Sequence, residues 1–452
     1  VARCGGRDDT ISGIFYYRKP VKSAKIDCPQ AMFFHASNLL AYKSDFTPQA
    51  FSVVSQARWR GGHAHADIGS FIVWAFGVPW VIDSAYGVGK ASAHNLLIVD
   101  EEEPDGKNAG GRVDQCLISP FAIAFSTDSK DHWNNKYYKN VLTPTQFPVA
   151  FAERSLVIMP EDKELQVPPY VLVDDYLQKD RKRHDYTWIL QVGKNAEFKK
   201  QLDRSTVTLK DEEAKDCALD VVFLNPGPDD EVEISNDKLI DYGRFQGRWH
   251  KRLLGKFTGA LWGEFLVMVY PRTTKMPPLK LKRYNKYGCD FQLVWPLCTD
   301  YIKAPEFNPA KGDSLALVRS PNGPDPRKKL PVKLKYLLVK NDNFKFAGKE
   351  IFSVKNGKQY GGYFGLVSSG SCSGERLDID VYVDPVRARL KLSYPIEVKA
   401  WGPEVKKVSL NGKSVAFTRD GDYVIIKGRN RIPVSNKQLE TVKNQKFLDK
   451  GE

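Results

Sequence analysis

The chain has 452 residues, of which 42% are hydrophobic and 12% aromatic, enough for two or three packed domains and too apolar for wholesale disorder. Lys and Arg number 68 against 54 Asp and Glu, a formal net charge of +14. Such a balance favours a polyanionic partner (nucleic acid, anionic membrane or acidic polysaccharide), or else it is a solubilising Lys-rich surface.

Residues 1–30 carry no periodicity and read as a leader into the fold. Val1 stands first and no basic-then-apolar signal segment precedes the fold, so the sequence is expected to be a processed chain or a fragment. From residue 31 to about 275 short runs rich in Val, Ile, Phe, Tyr and Leu recur, at 71–80, 96–100, 155–159, 170–176, 186–192, 221–224 and 265–270. Residues 276–344 are rich in Pro and Lys and read as a connecting region, with possible strands at 291–296 and 314–318. Within 271–350 there are 17 Lys/Arg and 7 Asp/Glu, a net of 17 − 7 = +10. A second strand-rich block spans 345–433, with runs at 363–367, 377–383, 388–392, 396–400, 408–410 and 423–427. A polar tail at 434–452 holds the clearest helix candidate, at 438–448. The pairs Asp105-Gly106 and Asn411-Gly412 are expected hairpin turns, because both tolerate positive φ.

The expected fold is therefore mainly β: a large antiparallel β-sandwich followed by a smaller β-sandwich. The apolar runs are too short and too broken by Gly and Pro to span a bilayer. Seven scattered cysteines without a C-x-x-C exclude a thiolate zinc finger and a dense disulfide framework, leaving room for one or two bridges. There is no N-x-[ST] sequon.

Three of the seven histidines, His63, His65 and His94, fall within 32 residues. The local text is Gly61-Gly62-His63-Ala64-His65-Ala66-Asp67. On a strand, His63, His65 and Asp67 would share one face, flanked by small alanines. Neutral imidazoles with a carboxylate suit zinc. Asp83, at the end of an apolar run, and His94 are the candidate distal ligands. The competing reading is a polar strand with partly solvated histidines. A cupin also uses H-x-H, but it wants a Glu where Gly69 and Ser70 stand.

The ordered string His63-Ala64-His65-Ala66-Asp67-x-Gly69-Ser70-Phe71, Gly77-x-Pro79, Asp83, Ala93-His94-Asn95 resembles the heparinase II/III-like polysaccharide lyases, which include related alginate lyases. The gap from His65 to Asp83, 18 residues, matches the family's. The resemblance continues more loosely through Glu153-Arg154-Ser155-Leu156-Val157, 171–175 and 184–188. It implies that His65, Asp83 and His94 bind a structural zinc. It implies that His63, beside the metal, is the catalytic histidine, gripping the sugar carboxylate or moving a proton in β-elimination. The implied partner is a uronate-containing anionic polysaccharide of alginate or glycosaminoglycan type, and the implied location is secreted or periplasmic. The family also has an N-terminal helical toroid carrying a Tyr acid/base and an Asn or His. No such region precedes residue 31, so it is expected upstream of this sequence or absent.

Arg58 and Arg60, with Trp59 opposite them, are candidate substrate-binding residues, since Arg holds carboxylate or sulfate bidentately and aromatic rings stack on sugars. Tyr86 is a candidate cleft contact. Each could equally be an ordinary surface residue. The Tyr86–Lys90 text lacks P-loop spacing. His184 and His250 read as surface or cross-sheet residues. Nucleic acid is disfavoured, because the basic 271–350 segment lacks RNA-module aromatics in motif order. Two other functions fit the same residues: a uronyl C5-epimerase, which begins with the same proton abstraction, and a non-catalytic polysaccharide-binding module that retains the zinc site.

Overall fold

The structure, a computed structural model, describes residues 29–35, 37–57, 65–83, 90–104, 111–138, 141–144, 146, 148–193, 195–201, 206–211, 214–225, 232–240, 250–276, 279–286, 289–304, 315–323, 325–340, 343–356, 368–381 and 396–428. By its internal contacts the chain divides into Val1–Gln30 and Ala31–Glu452, and the architecture below is that of the second unit. Regular structure is almost entirely β. Among the described residues the helical elements are a 3-10 turn, Ala91–Ala93, and a five-residue helix, Lys130–Asn134. No helix among them is long and apolar enough to cross a membrane.

The sheets stack in layers. A five-stranded meander, from Ala31–Phe34 through Leu39–Lys43, Ser52–Gln56 and Phe71–Ala75 to Val78–Val81, lies with a four-stranded sheet on one side of a large eight-stranded sheet. The four-stranded sheet contains Leu97–Val99, His184–Gly193 and His250–Ala260. The eight-stranded sheet is centred on Phe151–Met159, Tyr170–Gln178 and Gly263–Thr273. Alternate side chains of these central strands enter two different cores. Val171, Val173 and Leu177 join Phe71, Trp188 and Phe223 on one face. Tyr170 and Leu172 join Leu293, Ile302, Leu317 and Leu337 on the other. Burial on both faces explains the nearly unbroken apolar runs, which a half-solvated strand would alternate with polar residues.

Beyond the second core lies a nine-stranded sheet, whose far face packs on a further five-stranded sheet through Tyr336, Leu338, Phe346, Phe352, Val398 and Ala400. This corrects the expectation for 276–344. The segment supplies five strands of the nine-stranded sheet, Lys280–Lys286, Cys289–Val294, Cys298–Lys303, Leu315–Pro321 and Lys333–Val339. It is continuous in that sheet with Ser368–Ser373 and Arg376–Val381 of the second block. Among the described residues its prolines Pro296, Pro321 and Pro331 stand at strand ends and turns, where no ladder donor is needed. Part of its basic charge is spent inside. Arg319, 1% exposed, donates to Asp300 Oδ1 (2.7 Å) and Oδ2 (2.9 Å) and to Asp162 (3.2 Å), and Tyr170 Oη and Trp295 Nε1 also donate to Asp300. Lys335 donates to Asp162 (2.6 Å), and Lys340 to Glu153 (2.5 Å).

The turn Asn411-Gly412 has φ of 49° and 75° between Lys407–Leu410 and Lys413–Ser414, the left-handed pair of a tight hairpin. Asp105-Gly106, the runs at 363–367 and 388–392, and the tail from 429 lie outside the described residues. Among the described residues Cys116, Cys217, Cys289, Cys298 and Cys372 are free thiols.

Asp380 offers a test of burial in the nine-stranded sheet. Burial, with Asp378 acting in the same direction, pushes its carboxyl up to about 6. A raised carboxyl keeps its proton in the fold while the unfolded chain loses it, so stability falls as pH rises between about 4 and 6. Asp380→Asn should therefore raise Tm at pH 7.5 and do much less at pH 4. Thermal melts at both values check this, and equal shifts would refute it.

Candidate metal centre and its anchor

The segment 65–70 is a loop between the strands Ser52–Gln56 and Phe71–Ala75, not a strand. The strand-face argument for His63, His65 and Asp67 therefore does not hold for its described part, and turn geometry does the positioning. Gly69 takes φ +84°, its N–H donates to Gln56 O (2.7 Å), and Ser70 N–H donates to Asp67 O (2.9 Å). A side chain at Gly69 would be strained at that φ and would crowd Thr127 Oγ1 at 3.3 Å.

The second limb comes from the 3-10 turn Ala91–Ala93, whose small buried residues let the chain pass close to the sheet. His94 follows at once, fully buried. Asn95 fixes it in place. Its Nδ2 donates to Phe71 O (2.7 Å) and Ile82 O (2.8 Å), and its Oδ1 accepts from Gln191 N (2.6 Å). One side chain thus ties the segment to three pieces of backbone.

The fold brings His65, Asp67 and His94 together, each offering a ligand atom within 4.8 Å of the others. The His65 and His94 rings lie 5.3 Å apart, centroid to centroid. Asp83 reaches the cluster through His94: its Oδ1 is 2.6 Å from Nδ1 and its Oδ2 accepts from Ser70 Oγ (3.3 Å). A carboxylate only accepts, so Nδ1 carries a hydrogen, and in the neutral ring Nε2 is then the lone-pair nitrogen. That Nε2 is buried and has no hydrogen-bond partner. Burial raises the Asp67 carboxyl above its ordinary range; the His94 imidazole opposes this, Asp83 adds to it, and His65 opposes it. Gln56 Nε2 donates to Asp67 Oδ2.

These residues fit zinc. An orphaned imidazole nitrogen beside a second imidazole and a desolvated carboxylate is a donor set that a cation would satisfy. With a cation bound there, Asp83 would have the orienting role of a carboxylate behind a ligating histidine. His63, Arg58, Arg60 and Tyr86 lie outside the described residues.

Sequence reading missed what holds the two limbs together. Arg154, 5% exposed, donates from Nη1 to both Gly69 O (2.7 Å) and Asn95 O (2.5 Å). Its Nε and Nη2 pair with Asp175 Oδ1 (2.6 Å) and Oδ2 (2.7 Å), and Trp188 Nε1 donates to the same carboxylate (2.8 Å). The guanidinium also lies over the Phe71 ring, 5.5 Å from its centroid. Each of the three looser stretches, 153–157, 171–175 and 184–188, contributes one member of this network. The available signal was charged residues, Arg154 and Asp175, inside otherwise apolar strands.

His184 is not near this cluster in the hydrogen-bond pattern. It bridges Asp100 (2.7 Å) and Asp180 (2.9 Å). Burial lowers its pKa, but the hydrogen bonds to Asp180 and Asp100 and the charges of the two carboxylates together outweigh that and raise it above the ordinary value.

No family model and no curated protein matches the chain. Solved structures similar to it include the heparan sulfate lyase HepC from Pedobacter heparinus, at 14% identity and a TM-score of 0.46, with 60% of this chain and 42% of that one covered. A heparinase III structure is similar at 10% identity and a TM-score of 0.45, with 65% of this chain and 41% of that one covered. The chain thus spans about two fifths of the length of these structures.

Proposed function

We propose that the chain is the β-rich portion of a polysaccharide lyase that cleaves a uronate-containing anionic polysaccharide by β-elimination, with a structural zinc held by His65, His94 and a carboxylate. The observation that carries this reading is the convergence of His65, Asp67 and His94, with Asp83 bonded to His94, from segments separated in the chain. These are the residues of the H-x-H, Asp and A-H-N elements. The zinc would tie the two limbs together, and the chemistry would be done by side chains beside it.

In the elimination, a base removes the proton at C5 of the uronate. The C5–H electrons form the C4=C5 double bond, the C4–O bond breaks, and the departing oxygen takes a proton. Negative charge builds on the C6 carboxylate as C5 is deprotonated, so a cationic or hydrogen-bonding group must meet it there. His63, two residues from His65, has the chemistry for that contact or for moving a proton near neutral pH.

The test is incubation of the enzyme at its full natural length with alginate and with heparan sulfate. Elimination creates an unsaturated, ultraviolet-absorbing chain end. His63→Ala should lower that rate by about a hundredfold or more while zinc content and Tm stay level. If solvent deuterium enters C5 with no new absorbance, the enzyme is an epimerase. If zinc-loaded protein acts on no uronate polymer, the lyase reading fails. Loss of zinc in His63→Ala would instead make His63 a ligand.

A further inference from the structure

Away from the histidine cluster, two cavities of about 930 and 320 Å3 meet at Trp262, which lines both. Trp262 stands in the turn between His250–Ala260 and Gly263–Thr273, 37% exposed, with its side chain hydrogen-bonded to Glu264. The turn is held firmly. A Cβ at Gly263 would lie 2.6 Å from the Tyr186 ring, and Tyr186 Oη donates to Leu261 O (3.3 Å). Facing it is the basic turn Lys179-Asp180-Arg181-Lys182-Arg183, with Arg181 lining the larger cavity and Arg183 the smaller. Arg183 Nη1 donates to Gly259 O (2.6 Å), which sets that guanidinium at the groove edge.

The acidic groups along the groove already have partners. Asp180 is hydrogen-bonded by His184 (2.9 Å), and Glu264 accepts from Asn225 (3.0 Å). Lys179 is engaged by Asp100 (2.9 Å) and Glu102 (2.6 Å). The groove thus has an aromatic residue, Trp262, and two arginines, Arg181 and Arg183, in its lining. An indole face stacks on the apolar face of a pyranose, and a guanidinium takes a carboxylate or sulfate through paired hydrogen bonds. A neutral sugar would use only the first, and a small anion only the second.

We propose that the Trp262 groove is a binding subsite for an anionic oligosaccharide, stacked on the indole and held through its carboxylate or sulfate groups by Arg181 and Arg183. The choice of a sugar polyanion rests on the substrate class proposed above, while the site itself rests on its own residues. The groove opens where Phe151 pairs with Gln178, three residues along the strands from the Arg154–Asp175 pair. At strand spacing that is about 10 Å from the clamp on the two limbs.

The experiment is calorimetric titration of the protein with a heparin-derived hexasaccharide and an alginate hexamer, with maltohexaose as the neutral control. The wild type should bind an anionic hexamer and not maltohexaose. Trp262→Ala should weaken binding by about tenfold or more, and Trp262→Phe by less, because a smaller ring still stacks. Arg181→Ala with Arg183→Ala should weaken it and flatten its salt dependence. Zinc content and Tm should not change in any of them. Unaltered affinity in Trp262→Ala, or equal binding of maltohexaose, overturns the proposal, as does the absence of anionic binding tighter than about 1 mM. The readout needs no turnover. Groove binding without lyase activity sinks the function and spares the groove. Lyase activity with unaltered Trp262→Ala affinity does the reverse.

Discussion

Arg154→Ala should be among the most damaging single substitutions in the chain, costing about 3–5 kcal/mol of unfolding free energy. The side chain is buried, and its removal strands the Asp175 carboxylate, 3% exposed, with only the Trp188 indole N–H of the named network left to it. It also frees the Gly69 and Asn95 carbonyls that the guanidinium clamps from two separate segments. Arg154→Lys should recover little, because a single ammonium cannot reproduce a planar fork spanning a carboxylate and two carbonyls. The informative variant is Arg154→Met with Asp175→Leu. Replacing both members of a buried pair with apolar groups of similar size is often tolerated, so much of the stability should return. Zinc binding should not return, since the clamp on the two limbs is still missing. Denaturant unfolding and metal analysis separate these effects. A loss below about 1 kcal/mol in Arg154→Ala would show that the limbs are positioned without it.

How much of this could be read in the sequence depended on which force set each feature. The all-β class was legible, because Val, Ile, Tyr and Phe recur in short runs and helical periodicity is scarce. Turn chemistry was legible where side chains declare it, as at Asn411-Gly412. It was hidden at 71–80, which looks like one apolar run. There the chain folds back at Phe76-Gly77, with φ of 58° and 80°, into the hairpin strands Phe71–Ala75 and Val78–Val81. Phe76 is not a usual residue at positive φ, so local propensity gives no warning. The basic 276–344 stretch misled for a different reason. Lys and Arg read as solvent-facing, yet Arg319 and Lys335 are consumed by Asp300 and Asp162 at the seam between the two largest sheets. Such pairing is non-local and leaves no sequence period. The same blindness hid Arg154. The histidines stood out because they are a rare residue type at a spacing that metal ligands use, and the fold brings His65 and His94 together, but the backbone that carries His65 is a loop.

Near-stoichiometric zinc should copurify with the protein, and His65→Ala should abolish it together with part of the thermal stability, since a metal joining two segments contributes to folding. The carboxylates give the sharper test, because two lines of reasoning assign them differently. The resemblance places Asp83 among the ligands. The geometry groups Asp67 with the two imidazoles and puts Asp83 2.6 Å from His94 Nδ1, on the far nitrogen from the orphaned Nε2. In that arrangement Asp67→Asn removes a ligand charge and should all but eliminate zinc at micromolar metal. Asp83→Asn should only loosen the orientation and basicity of His94, a weakening of about 10–100-fold. Competition with a chelator of known affinity measures both. If Asp83→Asn proves the more severe, Asp83 is the ligand and Asp67 only lines the site. Affinity should also fall as pH drops, because protons compete for the imidazoles. Both variants leave the Arg154 clamp intact, so their metal-free forms should unfold cooperatively and differ in stability by no more than the lost zinc explains. A metal-free wild type as stable as the loaded protein would sink the zinc assignment, because a cation held by the folded state alone must stabilise it even at a site the fold has already made.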